Sequence, residues 1–167
     1  MSMDSLIYYD TEEKRKTIVL DLSHRNISTT SEINGSIENS NNLIYGTLDL
    51  SNNSLTNNEF KLNRVINIKY CINLILEHND LNKLELKNFL KNIRKITGAY
   101  NNITDFSCII YSKKIKTIQE IDLSHNPICD DPNYRLKLLN IMPSLRKING
   151  VKVSKDERRL NKKANHS

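Results

Sequence analysis

The chain has 167 residues, 38% of them hydrophobic, and a net charge of +6 at neutral pH, values typical of one globular domain. Four glycines and three prolines exclude collagen-like and proline-rich chains. No apolar run is long enough to span a membrane, and residues 1–16 are too polar for a signal peptide. We therefore expect an intracellular protein, of the cytoplasm or the nucleus, with no membrane partner.

Five segments repeat one pattern along the chain. The pattern is L-x-L-x-x-N-x-L, with isoleucine at some leucine positions, and the starts are separated by 28, 26, 22 and 25 residues. The segments begin at Leu20, Leu48, Leu74, Ile96 and Ile121. Alternate residues of a strand face opposite sides, so each segment predicts a short strand with one buried face. One unit cannot bury that face alone, which predicts a stack of units around a shared core.

The asparagine of the pattern occupies the position where the chain leaves each strand. Four segments carry it, as Asn53, Asn79, Asn101 and Asn126, whereas the first has Arg25 there. A side-chain amide at this position satisfies backbone groups that a buried turn would leave without partners. We expect these four residues to form a structural ladder. The pattern resembles that of the leucine-rich repeat family, whose period is about 20–29 residues.

The segments between the strands must return along the convex side of such a stack. Residues 28–42 are polar and low in complexity, and we expect a mobile loop there. Residues 81–93 have helical apolar spacing, with a lysine stripe at Lys83, Lys87, Lys91 and Lys95 if the helix is continuous. Residues 1–16 are expected to cover the N-terminal edge, as a short helix.

The last repeat is followed by a run with its own signature. In residues 129–158, Tyr134 opens a stretch of helical spacing that Pro143 ends. A stack of strands ends in unpaired backbone groups, so a covering element here prevents aggregation. The run resembles the C-terminal cap of leucine-rich repeat proteins such as the A′ subunit of the U2 spliceosomal particle, the nuclear-type regulatory subunit of protein phosphatase 1 and several ciliary proteins. The cap residues of that resemblance are Tyr134, Arg135, Pro143 and Leu145.

Together these observations predict an α/β fold. We expect a right-handed leucine-rich repeat solenoid, with short parallel strands on the concave face, a helical or irregular convex side and a helical C-terminal cap. Five repeats would occupy residues 17–128, the cap 129–158, and a basic flexible tail 159–167.

The chain carries no motif of an enzyme. It has no phosphate-binding glycine loop, no G-x-S-x-G and no H-E-x-x-H. His24, His78 and His125 share the fifth position of alternate repeats. Alternate strands lie about 10 Å apart, and zinc needs ligand nitrogens within about 4 Å of each other. The cysteines are also too far apart for a CxxC pair. We expect neither catalysis nor a metal nor a cofactor.

The residues between the strand leucines give the concave face an acidic character. Five acids oppose one lysine there, although the whole chain is basic. That sign disfavours phosphates and suits a basic protein partner, so nucleic acid would be contacted only indirectly or through the basic convex side and tail. The alternative is that Leu-Asp-Leu-Ser is ordinary repeat sequence. The candidate partner-binding residues are Asp21, Asp49, Ile75, Glu77, His78, Thr97, Tyr100, Glu120, Asp122 and His125.

Three functions remain open at this point. The first is a non-catalytic protein-interaction scaffold that binds its partner on the concave face and is a monomer on its own. The resemblance implies two others. One is a spliceosomal subunit that binds a partner with an RNA-recognition motif, and through it RNA. The other is a ciliary, cytoskeletal or phosphatase-regulatory protein.

Overall fold

The computed structural model describes residues 7–10, 17–39, 44–84, 92–105 and 116–164. Within these ranges one eight-stranded sheet contains the strands in chain order. The strands are β1 (Ile7–Asp10), β2 (Thr17–Asp21), β3 (Thr47–Asp49), β4 (Asn73–Ile75), β5 (Lys95–Thr97), β6 (Glu120–Asp122), β7 (Lys147–Ile148) and β8 (Val151–Lys152). Strands β2 to β7 are parallel, and an antiparallel strand closes the series at either end.

The core lies behind the sheet. Each parallel strand contributes one central residue in register with the next, and all of them are buried: Leu20, Leu48, Leu74, Ile96, Ile121 and Ile148. Two residues later, Leu22, Leu50, Leu76 and Leu123 are fully buried as well. The predicted α/β solenoid is confirmed, because stacking merges these small apolar faces into one continuous core.

The expectation of a mobile loop at 28–42 is wrong. Helix α1 (Thr30–Asn39) occupies most of this segment. The Thr29 hydroxyl accepts the amide N–H of Glu32 at 3.2 Å, and the Glu32 carboxylate accepts the amide N–H of Thr29 at 2.9 Å. This reciprocal capping box starts the helix. Ile33 and Ile37, one turn apart, are completely buried and dock it on the core.

Two expectations about the ends of the chain are also wrong. The N-terminal edge is covered by a strand and not by a short helix, since Ile7 of β1 is the antiparallel partner of Leu20. The flexible tail expected at 159–167 is helical as far as residue 164, because α3 (Lys155–Ala164) extends through it. Ser154 and Glu157 cap this helix reciprocally, at 2.7 and 3.1 Å.

The convex side is mostly irregular where the structure describes it. Short 3-10 turns lie at Leu62–Arg64, Ile68–Tyr70 and Pro127–Asp130. The helix expected over 81–93 falls largely outside the described residues, and its described ends, 81–84 and 92–93, are not helical. Lys87 and Lys91 of the lysine stripe, and Cys108, also lie outside the described residues.

The C-terminal segment folds over the last strands. Helix α2 (Tyr134–Ile141) ends two residues before Pro143, and it packs against α3. A tight turn joins β7 to β8 through Asn149 and Gly150, whose φ angles are 48° and 74°. Positive φ at both positions is what such a hairpin turn requires. Tyr134 is 5% exposed and Leu145 is fully buried.

Candidate protein-interaction surface

The strand register arranges the exposed side chains in rows. We call the sheet side that carries these rows the groove face. One row holds Asp21, Asp49, Ile75, Thr97 and Asp122, which pair in register from β2 to β6. The row at the N-terminal ends of the strands holds Val19, Thr47, Asn73, Lys95, Glu120 and Lys147. The sheet thus presents one continuous surface assembled from six strands.

A groove of about 640 Å³ occupies the centre of this face, across β3 to β6. Half-buried Ile75 and Asn73 line its floor, together with Thr97, which is only 8% exposed. Arg94 and Glu77 lie on its walls. A partner that entered the groove would meet the apolar side chain of Ile75 beside the polar side chains of Asn73 and Thr97, with charged side chains around them.

Three aspartates of the groove face form local hydrogen bonds at the ends of their strands. In Asp21, Asp49 and Asp122, one carboxylate oxygen accepts both the amide and the hydroxyl of the serine two residues later, at 2.9 and 2.7 Å. These turns hold the chain as it leaves each strand. The Asp-x-Ser spacing could have revealed them in the sequence. The aspartates therefore have a structural role whatever the face binds.

The other charged residues of the groove face differ in whether they form an ion pair. Glu120 lies 3.9 Å from Lys147 in a half-exposed ion pair of little energetic weight. Within the described residues, no ion pair holds Glu77, Arg94 or Lys95.

An aromatic stack borders the groove face. The ring of Tyr100 lies between those of His78 and His125, with centroids 4.3 and 4.1 Å apart and near-parallel planes. All three residues adopt the left-handed conformation, as do His24 and Asn52 at the equivalent positions. The sequence of a single repeat does not predict this stack, because its three rings come from neighbouring repeats that must be in register. The tyrosine ring also keeps the two imidazoles from sharing an ion, and the described residues contain no cluster of three potential metal ligands.

The asparagines of the repeat pattern bridge successive turns. The Asn79 side chain accepts the amide N–H of Leu55 at 3.0 Å and donates to the carbonyls of Leu50, Leu76 and Glu77 at 3.0 to 3.2 Å. Asn53, Asn101 and Asn126 accept the corresponding amides of Ile27, Leu81 and Ile103. Asn57 makes similar bonds on the convex side, to the amides of Asn82 and Lys83. Buried amides are thereby satisfied along the solenoid.

The C-terminal residues singled out in the sequence hold α2, α3 and β7 together. Arg135 donates to the Glu157 carboxylate at 2.6 Å and to the carbonyl of Ile148 at 2.9 Å. Its hydrogen bond lowers the pKa of Glu157 to about 2. The Tyr134 hydroxyl donates to Asn149 at 3.2 Å, and burial raises the pKa of Tyr134. All of these contacts are internal to the fold.

Cys71 is not a reactive site. Cys71 is 1% exposed, and burial raises the pKa of its thiol to about 12. A thiol that stays protonated is neither a nucleophile nor a metal ligand. In the described part of the chain, moreover, no helix has the length and apolar character needed to cross a membrane.

Comparison with known proteins agrees with this architecture. No protein-family model matches the chain. Over 117 residues it is 31% identical to the U2 small nuclear ribonucleoprotein A′ of Candida albicans, a match that covers 69% of this chain and 48% of the relative. The chain has the leucine-rich repeat fold and is similar in sequence to U2A′. It spans about half the length of that relative.

Solved structures show the same fold at lower identity. The Drosophila melanogaster SNF/U2A′ complex contains a chain that matches with a TM-score of 0.74 at 20% identity, over 94% of this chain and 84% of that one. The Mex67 LRR domain of Chaetomium thermophilum matches with a TM-score of 0.56 at 19% identity, over 91% of each chain. The predicted resemblance to leucine-rich repeat proteins is confirmed.

Proposed function

We propose that this leucine-rich repeat protein is a non-catalytic subunit that binds a protein partner on its groove face. The observation that carries the proposal is the groove itself, whose floor is formed by Ile75 and whose charged residues Glu77, Arg94 and Lys95 have no ion-pair partner in the described residues. A solenoid offers an extended surface of this kind, while its Asn residues and buried leucines maintain the shape.

We further propose that the partner belongs to a spliceosomal particle of the U2 type. The similarity to U2A′ and to a chain of the SNF/U2A′ complex supports this role. The partner would be a protein with an RNA-recognition motif, and the site of action the nucleus. The acidic side chains of the groove face disfavour direct phosphate contact there, so the partner would supply most of the RNA contacts.

The proposed domain arrangement keeps the groove face accessible. Five repeats, one for each of β2 to β6, would form the binding unit. Strand β1 at one end, and α2 with the β7–β8 hairpin at the other, would act as caps that protect the sheet edges from pairing with other chains. In this proposal the protein is a monomer on its own and binds a different protein.

Affinity capture from nuclear extract of the source organism tests the proposal. The native protein is compared with Ile75→Lys/Glu77→Lys and with a control, Ile44→Lys/Glu38→Lys, whose positions are exposed and outside the groove. We expect mass spectrometry to find an RNA-recognition-motif protein and U2 components with the native and control proteins only. Equal recovery by the groove variant would contradict the binding face, and a partner set without splicing proteins would contradict the spliceosomal role.

A further inference from the structure

The turn between β7 and β8 places an asparagine directly before a glycine. Asn149 and Gly150 are the two residues of this turn, and their φ angles are 48° and 74°. Gly150 is exposed, and its amide N–H has no hydrogen-bond acceptor among the described residues. Attack of that nitrogen on the side-chain amide carbon of Asn149 closes a five-membered ring, and it requires motion within the turn alone.

Two hydrogen-bond donors converge on the side-chain oxygen of Asn149. The amide N–H of Leu123 donates to this oxygen at 2.9 Å, and the Tyr134 hydroxyl donates to it at 3.2 Å. Leu123 is fully buried and Tyr134 is 5% exposed, so packing fixes both donors in place. Negative charge develops on the oxygen when a nitrogen attacks the carbonyl carbon, and donors that are already in position stabilise such a charge.

The chain contains a second Asn-Gly pair that lacks these features. Asn34 and Gly35 lie inside α1, where a helical amide N–H is bonded to the carbonyl four residues earlier. The Asn34 side chain donates to the carbonyl of Arg64 at 2.9 Å and accepts the amide N–H of Ile66 at 3.0 Å. The nitrogen that would attack is therefore engaged in the helix, whereas the corresponding nitrogen of the turn is free.

We propose that Asn149 is a self-modification site, which the protein converts to aspartate and isoaspartate without an enzyme. The Gly150 nitrogen gives its proton to solvent and forms a bond to the side-chain carbonyl carbon. The bond from that carbon to the side-chain nitrogen then breaks, and the nitrogen takes a proton from solvent and leaves as ammonia. Water opens the resulting cyclic imide at either of its two carbonyl carbons, and no oxidant or reductant takes part.

This conversion loosens the C-terminal cap. Ile148 pairs with Ile121 in the sheet, so residue 149 lies level with Asp122 of β6. A carboxylate formed at residue 149 is therefore close to another carboxylate, and like charges repel at that distance. Isoaspartate also adds a carbon atom to the backbone of a turn that consists of two residues only. The converted protein should unfold at a lower urea concentration than fresh protein.

Peptide mapping by mass spectrometry follows both Asn-Gly pairs in one sample of the purified protein, incubated at mildly alkaline pH. Folded protein is compared with protein in urea, where the two pairs have equivalent surroundings. In the folded protein we expect Asn149 to convert at least about tenfold faster than Asn34, because α1 must open before Gly35 can react. In urea we expect similar rates. Conversion of Asn149 in the folded protein that is no faster than that of Asn34 would overturn the proposal.

Two matched variants assign the reaction to the fixed donors. Tyr134→Phe removes one donor and keeps the ring, and we expect Asn149 to convert about fivefold more slowly in the folded protein. The control Tyr45→Phe removes another buried hydroxyl, which donates to the carbonyl of Ile66 at 2.7 Å, and should convert like the native protein. Conversion of Tyr134→Phe at the native rate or faster would overturn the role of the donors. An unchanged urea midpoint after full conversion would overturn the loosening of the cap.

Discussion

Asp49 and Ser51 form a closed turn at the end of β3, in which one carboxylate oxygen accepts the serine amide at 2.9 Å and its hydroxyl at 2.7 Å. The same turn follows β2 and β6. The acidity that the sequence shows along the strands therefore has a structural cause in these aspartates. Glu77 and Glu120 are acids of the groove face that no such turn explains.

Substitutions at Asp49 and Glu77 should distinguish a side chain that stabilises the fold from one that does not. We expect Asp49→Ala to lower the free energy of unfolding by about 1 kcal/mol, because two hydrogen bonds at the turn are lost. Asp49→Asn keeps an acceptor oxygen and should cost less. Glu77→Gln should leave stability unchanged in urea denaturation. A loss with Glu77→Gln equal to that with Asp49→Ala would refute this division of roles.

The Asn ladder should be a major source of stability. Asn79 is 7% exposed and connects four backbone groups, so Asn79→Ala leaves buried polar groups without partners. We expect a loss of about 1–3 kcal/mol in the free energy of unfolding. The matched control is Asn102→Ala at an exposed position, with an expected change below about 0.5 kcal/mol. Equal melting temperatures for the two variants would contradict the ladder.

The ion pair between Arg135 and Glu157 should make stability depend on acid pH. Its hydrogen bond lowers the pKa of Glu157 from 4.5 to about 2 in the folded state. The pair's contribution is therefore complete above about pH 5 and is lost as the pH falls through the folded pKa. Glu157→Gln should be less stable than the native protein by about 1 kcal/mol at pH 6, after allowance for solvent screening, with little difference at pH 2.

Urea unfolding of both proteins from pH 6 to pH 2 measures this effect. Asp156→Asn is the control, since its pair with Arg159 is exposed at 79% and 70% of the two side chains. A difference between Glu157→Gln and native protein that stays constant over the whole pH range would rule out the ion pair as its source.

The strands could be predicted from the sequence because the leucine and isoleucine positions of each repeat indicate which residues are buried. Leu48 and Leu50 are two residues apart and face one core, so a short motif is sufficient to locate β3. Stacking in register follows from the repetition. The C-terminal hairpin was not predicted, although Asn149-Gly150 is a pair typical of tight turns between strands.

The missed features depend on contacts between segments or on short local signals. Helix α1 was hidden by its polar composition, and only the Thr29–Glu32 box and the buried Ile33–Ile37 pair identify it. The stack around Tyr100 arises from neighbouring repeats and has no signal inside any one of them.

Calorimetric titration of the captured partner into the purified protein tests the central claim most directly. Three proteins are titrated side by side. They are the native protein, Ile75→Lys, which places a charge on the floor of the groove, and Ile44→Lys, which makes the same change at a position 57% exposed outside it. We expect Ile75→Lys to weaken binding at least about tenfold, or about 1.4 kcal/mol, and Ile44→Lys to bind like the native protein. Native-like affinity of a folded Ile75→Lys protein would contradict binding at the groove face.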